Sequence, residues 1–190
     1  MKKEQLRAHL LRQRAEQTLT SQQEKSLQIS QRVAQSDAFK QANKVAFYHA
    51  VRGEADPSNL SKDSAKLFYL PIITKENSLL FAPVNSDTAF IKNKFSIPEP
   101  VYNDADLIPA ESLDLVLMPL LGFDQHGNRL GMGGGFYDRC FAFKQDKSIK
   151  PLLMGFAFDF QAVNVIKSEP WDIGLELIAT ESRLLRVKRR

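Results

Sequence analysis

Apolar residues recur at one-face helical spacing near the start of the chain, with Leu6, Leu10 and Leu11 in a stretch free of glycine and proline. This predicts a helix over residues 3–17. A second helix is predicted from about Thr20, where Thr20-Ser-Gln-Gln23 has the form of a capping box, to Gln35, with Ile29 and Val33 one turn apart. The pattern then changes to short apolar runs, which predict strands at residues 44–51, 67–70, 79–82, 115–118, 152–158 and 175–179. Asp56-Pro57 is a helix opening, with aspartate at the cap and proline in the first turn. Strands alternating with helices predict an α/β fold: one domain over 1–190, a largely parallel central sheet flanked by helices, and two helices at the N-terminus. Ligands of such sheets bind beyond the carboxyl ends of the strands. Here those ends hold Val51-Arg-Gly-Glu54, Pro71 and the loop after Met118.

Composition adds exclusions. At 190 residues, 43% hydrophobic and 25% charged, the chain can bury a core without staples. Its one cysteine, Cys140, rules out an internal disulfide and a cysteine-based zinc site, and reads as a packing thiol rather than a nucleophile. His9, His49 and His126 lack metal-ligand spacing. With no signal peptide and no apolar run of about 18 residues, a cytoplasmic protein without membrane contact is expected. Net charge is +4, with basic residues gathered at the two ends: Lys2, Lys3, Arg7, Arg12 and Arg14, then Arg186, Lys188, Arg189 and Arg190. That suits an anionic ligand, but no nucleic-acid-binding pattern accompanies it. The alternation Phe156, Phe158, Phe160 reads as core along a strand.

Chemistry concentrates in Gly127-Asn-Arg-Leu-Gly-Met-Gly-Gly-Gly-Phe-Tyr-Asp138, which holds five glycines, one arginine and a closing aspartate. An apolar strand precedes it and a short helix is predicted after it, over 136–144. Without Cβ atoms, the backbone N–H groups of such a loop can approach a phosphate closely, and a helix start adds its dipole. Arg129 offers a permanently charged planar clamp, and Asp138 a hard-cation ligand. Neither the Walker A ending nor the dinucleotide register is present. Glycines alone would equally serve a tight turn; the neighbouring arginine, aromatics and aspartate favour the phosphate cradle.

These residues resemble the 5-formyltetrahydrofolate cyclo-ligase (5,10-methenyltetrahydrofolate synthetase) family along nearly the whole chain. Lys3-Glu-Gln-Leu-Arg7 resembles the family's N-terminal Lys-x-x-Leu-Arg. Gly53-Glu-Ala-Asp56, Ile97-Pro-Glu-Pro100 and Met118-Pro-Leu-Leu-Gly-Phe-Asp124 extend the likeness. The glycine-rich block and Glu169-Pro-Trp-Asp172, with Leu175-Glu176 and Thr180-Glu181 beyond, complete the match. The central block is the specific part. The resemblance implies an ATP- and magnesium-dependent enzyme that closes 5-formyltetrahydrofolate to 5,10-methenyltetrahydrofolate through a phosphorylated formyl group, and a monomer is expected.

Residue by residue, the resemblance implies that Lys3 and Arg7, one helical turn apart, hold ATP phosphates. The nucleotide loop would be Arg129, Leu130, Gly131, Met132, Gly133, Gly134, Gly135, Phe136 and Tyr137, with Arg129 catalytic and Met132 to Phe136 also touching the folate. Val51, Glu54 and Asp56 would meet the pterin, and Asp138 and Asp172 would hold magnesium. Each has a plainer reading: a solvated basic helix end for Lys3 and Arg7, helix capping for Asp56 and Asp138. Pro57, Met132 and Trp171 depart from the family's common threonine, tyrosine or arginine, and histidine. The competing functions are a non-catalytic folate or nucleotide binder on this fold, and a nucleic-acid module using the basic ends.

Overall fold

A computed structural model describes residues 2–93, 96–145 and 149–187. Lys188, Arg189 and Arg190 of the basic C-terminal run lie outside them. One seven-stranded sheet organises the molecule. Its strands are β1 (Lys44–Ala46), β2 (Leu67–Ile73), β3 (Leu79–Val84), β6 (Leu115–Met118), β9 (Leu152–Phe156), β10 (Leu177–Ala179) and β11 (Leu184–Arg186). Across the sheet they stand in the order β11-β10-β9-β6-β1-β2-β3. The inner five, β10, β9, β6, β1 and β2, run parallel; β3 and β11 close the two edges antiparallel. Two small hairpins stand outside it, β4 (Phe90–Lys92) with β5 (Pro98–Pro100), and β7 (Gly122–Phe123) with β8 (Arg129–Leu130).

Side-chain alternation divides the core into two layers. Val45, Leu115, Leu117 and Met154 face Ile29 and Val33 of α2 (Leu19–Gln35) and Phe39 of α3 (Asp37–Gln41). Ala46, Val116, Met118 and Leu153 face the other way, toward Phe123 and Cys140 and Phe141 at the end of α4 (Phe136–Cys140). A third, smaller cluster seats α1 (Lys3–Ala15): Leu10 packs with Leu121, Leu130 and Ile166, and Leu6 and Leu11 flank it. Close approach is required there, because a Cβ on Gly122 would stand 2.7 Å from Leu10 Cδ1. No helix among the described residues is long and apolar enough to cross a membrane.

The α/β architecture and the two N-terminal helices match the reading of the sequence, while several boundaries move. The second helix begins at Leu19, because Thr18 rather than Thr20 caps it by accepting the Ser21 N–H. The first strand ends at Ala46, not Val51; beyond it the Tyr48 hydroxyl donates to the Ala55 carbonyl, and Arg52 and Gly53 take successive left-handed conformations. Asp56 accepts the Ser58 N–H, but the element that follows is a 3-10 turn over Ser58–Lys62 with Pro57, not Asp56, at its cap position. The helix after the glycine loop stops at Cys140, with a 3-10 turn at Ala142–Lys144, so its dipole is that of five residues. The strand at 152–158 ends at Phe156; Phe158 is core, but from the start of a 3-10 turn that also carries Phe160. The strand read at 175–179 is confined to Leu177–Ala179.

Candidate active site

The chain enters the sheet at β1, moves to β2 on one side, then returns to β6 on the other. The carboxyl ends of β1 and β6 therefore flank the crevice where strand order reverses, the usual ligand position in open α/β sheets. The segment 48–54 leaves one wall and the segment 119–121 the other. The residues nominated from sequence gather around these two segments, the β7–β8 hairpin and α1.

The hairpin presents the glycine loop. Buried Asp124 holds its turn by accepting from the N–H groups of His126 and Asn128 and from the Asn128 amide, and it also accepts from the Ile166 N–H. Gly127, one of the five glycines, serves this turn instead of a ligand. Its φ is +79°, and a Cβ would stand 2.6 Å from the Leu175 carbonyl oxygen. Gly131 to Gly135 then form an open loop, left-handed at Gly133 and Gly135. Arg139 straps the loop from behind, donating from Nη2 to the Gly134 carbonyl and from Nε to that of Asn77 in the β2–β3 turn. Nothing in the spacing of the sequence marked this arginine.

Three further cations meet the loop and its neighbours. Arg7 donates from Nε to the Gly131 carbonyl at 3.0 Å. Lys3 Nζ lies 3.0 Å from Asp172 Oδ2 and 3.9 Å from Glu169 Oε1. Arg129, whose side chain is only 6% exposed, donates from Nη2 to Asp138 Oδ1 at 2.6 Å and from Nε to the Ile173 carbonyl. Its guanidinium also lies 5.9 Å from the centre of the Tyr137 ring. Burial holds the Tyr137 hydroxyl well above the usual tyrosine range, with nearby Glu54 adding to it, so it stays a neutral donor.

The two proposed metal ligands share the 172–173 peptide. Asp138 Oδ1 accepts the Ile173 N–H at 3.1 Å, and Asp172 Oδ2 accepts that of Glu169. Their remaining oxygens take no hydrogen bond among the described residues. No group of three or more His, Cys, Asp or Glu among those residues is arranged to hold a metal. Two carboxylates with one open oxygen each fit a hard cation that arrives with phosphates and keeps water in its remaining positions.

On the opposite wall Glu54 is 12% exposed by its side chain. Its Oε2 accepts the Val51 N–H at 3.2 Å, closing the turn in which Val51 is half-buried. Burial raises the Glu54 carboxyl above the ordinary range, while the Val51 N–H, Arg14 and Arg52 pull it back. Asp56 has one oxygen committed to the Ser58 N–H, so as an acceptor it has less to offer than Glu54. A cavity of about 220 Å³ opens beside both carboxylates, lined also by Gln22, Ser26 and Gly53. Cys140 is buried and donates weakly to the Leu79 carbonyl. Burial pushes its thiol up to about 12, which removes it as a nucleophile.

Sequence reasoning passed over Arg14, although a signal was present. Lys3, Arg7, Leu10 and Arg14 stand at i, i+4, i+7 and i+11, one stripe of a helix. Since Leu10 is the residue that seats α1, Arg14 one turn on must be buried with it.

The model of the 5-formyltetrahydrofolate cyclo-ligase family matches residues 1–181. A Haemophilus influenzae 5-formyltetrahydrofolate cyclo-ligase is 35% identical over 179 residues, covering 92% of this chain and 95% of that protein. The Escherichia coli K12 protein of the same name is 34% identical over 88% of this chain and 93% of its own. Among solved structures, the NMR structure of Aquifex aeolicus 5,10-methenyltetrahydrofolate synthetase superposes with a TM-score of 0.85 at 29% identity, covering 100% of this chain and 95% of that one. Sheet order, loop and flanking cations thus occur in a chain that belongs, by sequence and by fold, to the 5-formyltetrahydrofolate cyclo-ligase family.

Proposed function

We propose that this enzyme uses ATP to cyclise 5-formyltetrahydrofolate to 5,10-methenyltetrahydrofolate, releasing ADP and phosphate. The observation that carries this reading is the grouping of Arg7 on the Gly131 carbonyl of an open glycine loop, Arg129 on Asp138 just after that loop and Lys3 on Asp172, with a buried carboxylate, Glu54, on the other wall of the crevice. The cationic side suits a triphosphate. The carboxylate side suits the N–H donors of a pterin, for which a charged bidentate acceptor is the matching partner.

The carbonyl oxygen of a formyl group on nitrogen is a poor leaving group. In the proposed reaction it attacks the γ-phosphorus, the bond to ADP breaks, and when N10 closes on the formyl carbon the C–O bond breaks, the oxygen leaving as phosphate and taking up the proton that N10 releases. Phosphoryl transfer of this kind needs position and charge stabilisation more than a protein nucleophile. Lys3 and Arg7 would hold the phosphates, and the N–H groups of residues 130–137 would line the oxygens. Arg129 has Nη1 free of hydrogen bonds among the described residues, so it can reach a transferring phosphoryl group without releasing Asp138. Val51, Glu54 and Asp56 would orient the pterin. Met132 to Phe136 would lie between the two substrates, with half-exposed Met132 against the folate. Asp138 and Asp172 would hold magnesium, whose charge neutralises phosphate oxygens.

Absorbance in the methenyltetrahydrofolate band, followed after mixing protein, 5-formyltetrahydrofolate, magnesium and ATP, tests the proposal. A rise that needs both ATP and magnesium is expected. Folate binding without any rise would identify a non-catalytic binder, and neither binding nor rise would refute the reading.

A further inference from the structure

We infer that Arg14 is a positioning residue that spans the crevice, anchoring the Glu54 carboxylate on one wall and the Leu120 carbonyl on the other so that Glu54 is aimed at the pterin. This deepens the proposed function and rests on it for the identity of the ligand. Arg14 is 3% exposed by its side chain. Its Nη2 donates to the Leu120 carbonyl at 2.7 Å, and Nη1 stands 3.6 Å from Glu54 Oε1. Leu120 lies two residues beyond β6 and Glu54 in the turn that ends the segment leaving β1, so one guanidinium touches both sides of the point where strand order reverses. Its stem passes under the left-handed turn, since a Cβ on Gly53 would lie 3.3 Å from Arg14 Cγ.

Packing alone does not account for an arginine here. The same stripe uses leucine at position 10 to seat α1, and a methionine at 14 would fill the space without burying a guanidinium. Instead the guanidinium is desolvated, and its buried Nε has no hydrogen-bond partner among the described residues. Such a group is costly to bury and is retained where it does something a hydrocarbon cannot. The Leu120 carbonyl is meanwhile shared with the buried amide of Gln161, donated at 2.8 Å, so the arginine is not required merely to satisfy that oxygen.

What Arg14 supplies is charge beside Glu54. The groups facing that carboxyl are Arg14 from α1, Arg52 and the Val51 N–H from its own turn, Tyr48 from the end of β1, and Tyr137 from α4. Tyr48 donates its hydroxyl to the Ala55 carbonyl, and both tyrosines are kept neutral by burial first and by Glu54 next. Among the described residues, Arg14 is therefore the cation that reaches Glu54 from outside its own turn. The 3.6 Å separation orients the carboxylate and leaves its oxygens able to accept from a ligand.

The test uses the full chain with Arg14→Met, Arg14→Lys and Glu54→Gln, and measures steady-state kinetics in each substrate as pH is lowered. Arg14→Met should raise KM for 5-formyltetrahydrofolate about tenfold, the loss expected for one hydrogen-bonded charge, and leave KM for ATP unchanged. With the cation gone Glu54 protonates more readily, so the acid limb of kcat/KM for the folate should move to higher pH. Arg14→Lys should restore part of both effects. In Glu54→Gln the limb should vanish, and adding Arg14→Met there should cost little more. An unmoved acid limb with equal losses for both substrates would reduce Arg14 to a structural role, as would an acid limb that survives Glu54→Gln. Should Arg14→Met fail to fold, Arg14→Lys and Glu54→Gln still decide. If the wild type turns over folate and these variants behave alike, this inference fails alone; if the wild type neither binds nor turns over folate, the proposed function fails with it.

Discussion

Replacing Arg129 with methionine separates what its guanidinium does for the fold from what it does for the reaction. The substitution keeps the stem and removes two hydrogen bonds, one to the Ile173 carbonyl and one to Asp138 at 2.6 Å. The first is worth about 1 kcal/mol and the second, being charge-assisted, about 1.5–3 kcal/mol. Asp138 is 22% exposed, so water recovers part of the second term, leaving a loss of about 2–3 kcal/mol. For a chain of this length that lowers Tm by roughly 4–12 °C. Turnover in the absorbance assay should fall at least about tenfold, about 1.4 kcal/mol of transition-state stabilisation. Arg129→Lys keeps the charge but cannot reach both acceptors in a fork, so it should recover stability in part and turnover less. Turnover at the wild-type level in Arg129→Met would remove the proposed clamp. A Tm within about 2 °C of wild type would refute the account of its hydrogen bonds.

Asp138→Asn should raise the magnesium concentration needed for half-maximal turnover by about tenfold, and an unchanged magnesium titration would count against ligation there. Gly127→Ala places a side chain at φ +79° and against the Leu175 carbonyl, whose own N–H is bonded to the Gly127 oxygen. Urea unfolding should show a loss of about 2–4 kcal/mol, and a loss within about 0.5 kcal/mol would mean the turn can relax. Because burial raises the Cys140 thiol to about 12, it is protonated at mildly alkaline pH, and alkylation should proceed only as fast as the protein opens. Cys140→Ala should retain wild-type turnover; rapid labelling of the folded enzyme would contradict the burial.

Much of this fold could be read from the chain because its inner strands are buried on both faces. Leu115–Met118 is a continuous apolar run, and the observed strand has those bounds. Where polar atoms outside the run decide an ending, the pattern misleads. Val45 and Phe47 promise a longer strand, yet the Tyr48 hydroxyl and the left-handed Arg52–Gly53 pair turn the chain away. Thr18 and Thr20 offer similar caps, and only the three-dimensional path selects the first. The hairpins β4–β5 and β7–β8 escape notice because two- and three-residue strands carry no period, and β5 has prolines at both ends. At the site, Lys3, Arg7, Arg129, Asp138 and Asp172 were legible from motif and resemblance, and the structure joins them through contacts they make with one another or with the loop. Arg14 was overlooked because charge usually means solvent, and Arg139 because its partners are carbonyls distant or unmarked in sequence.

The seat of α1 has a consequence for the birth of the protein. The helix that carries Lys3, Arg7 and Arg14 is made well before its seat, because Leu10 packs on Leu121, Leu130 and Ile166. At about 5–20 residues per second, synthesis reaches Ile166 roughly 8–30 s after Leu10 has been made. Throughout that interval the seat of α1 is incomplete, and the helix joins a sheet already largely laid down. Residues made early are thus among the last to find their places, and a nascent chain truncated before Ile166 would lack both cationic contacts and the crevice-spanning arginine even though it contains all three side chains.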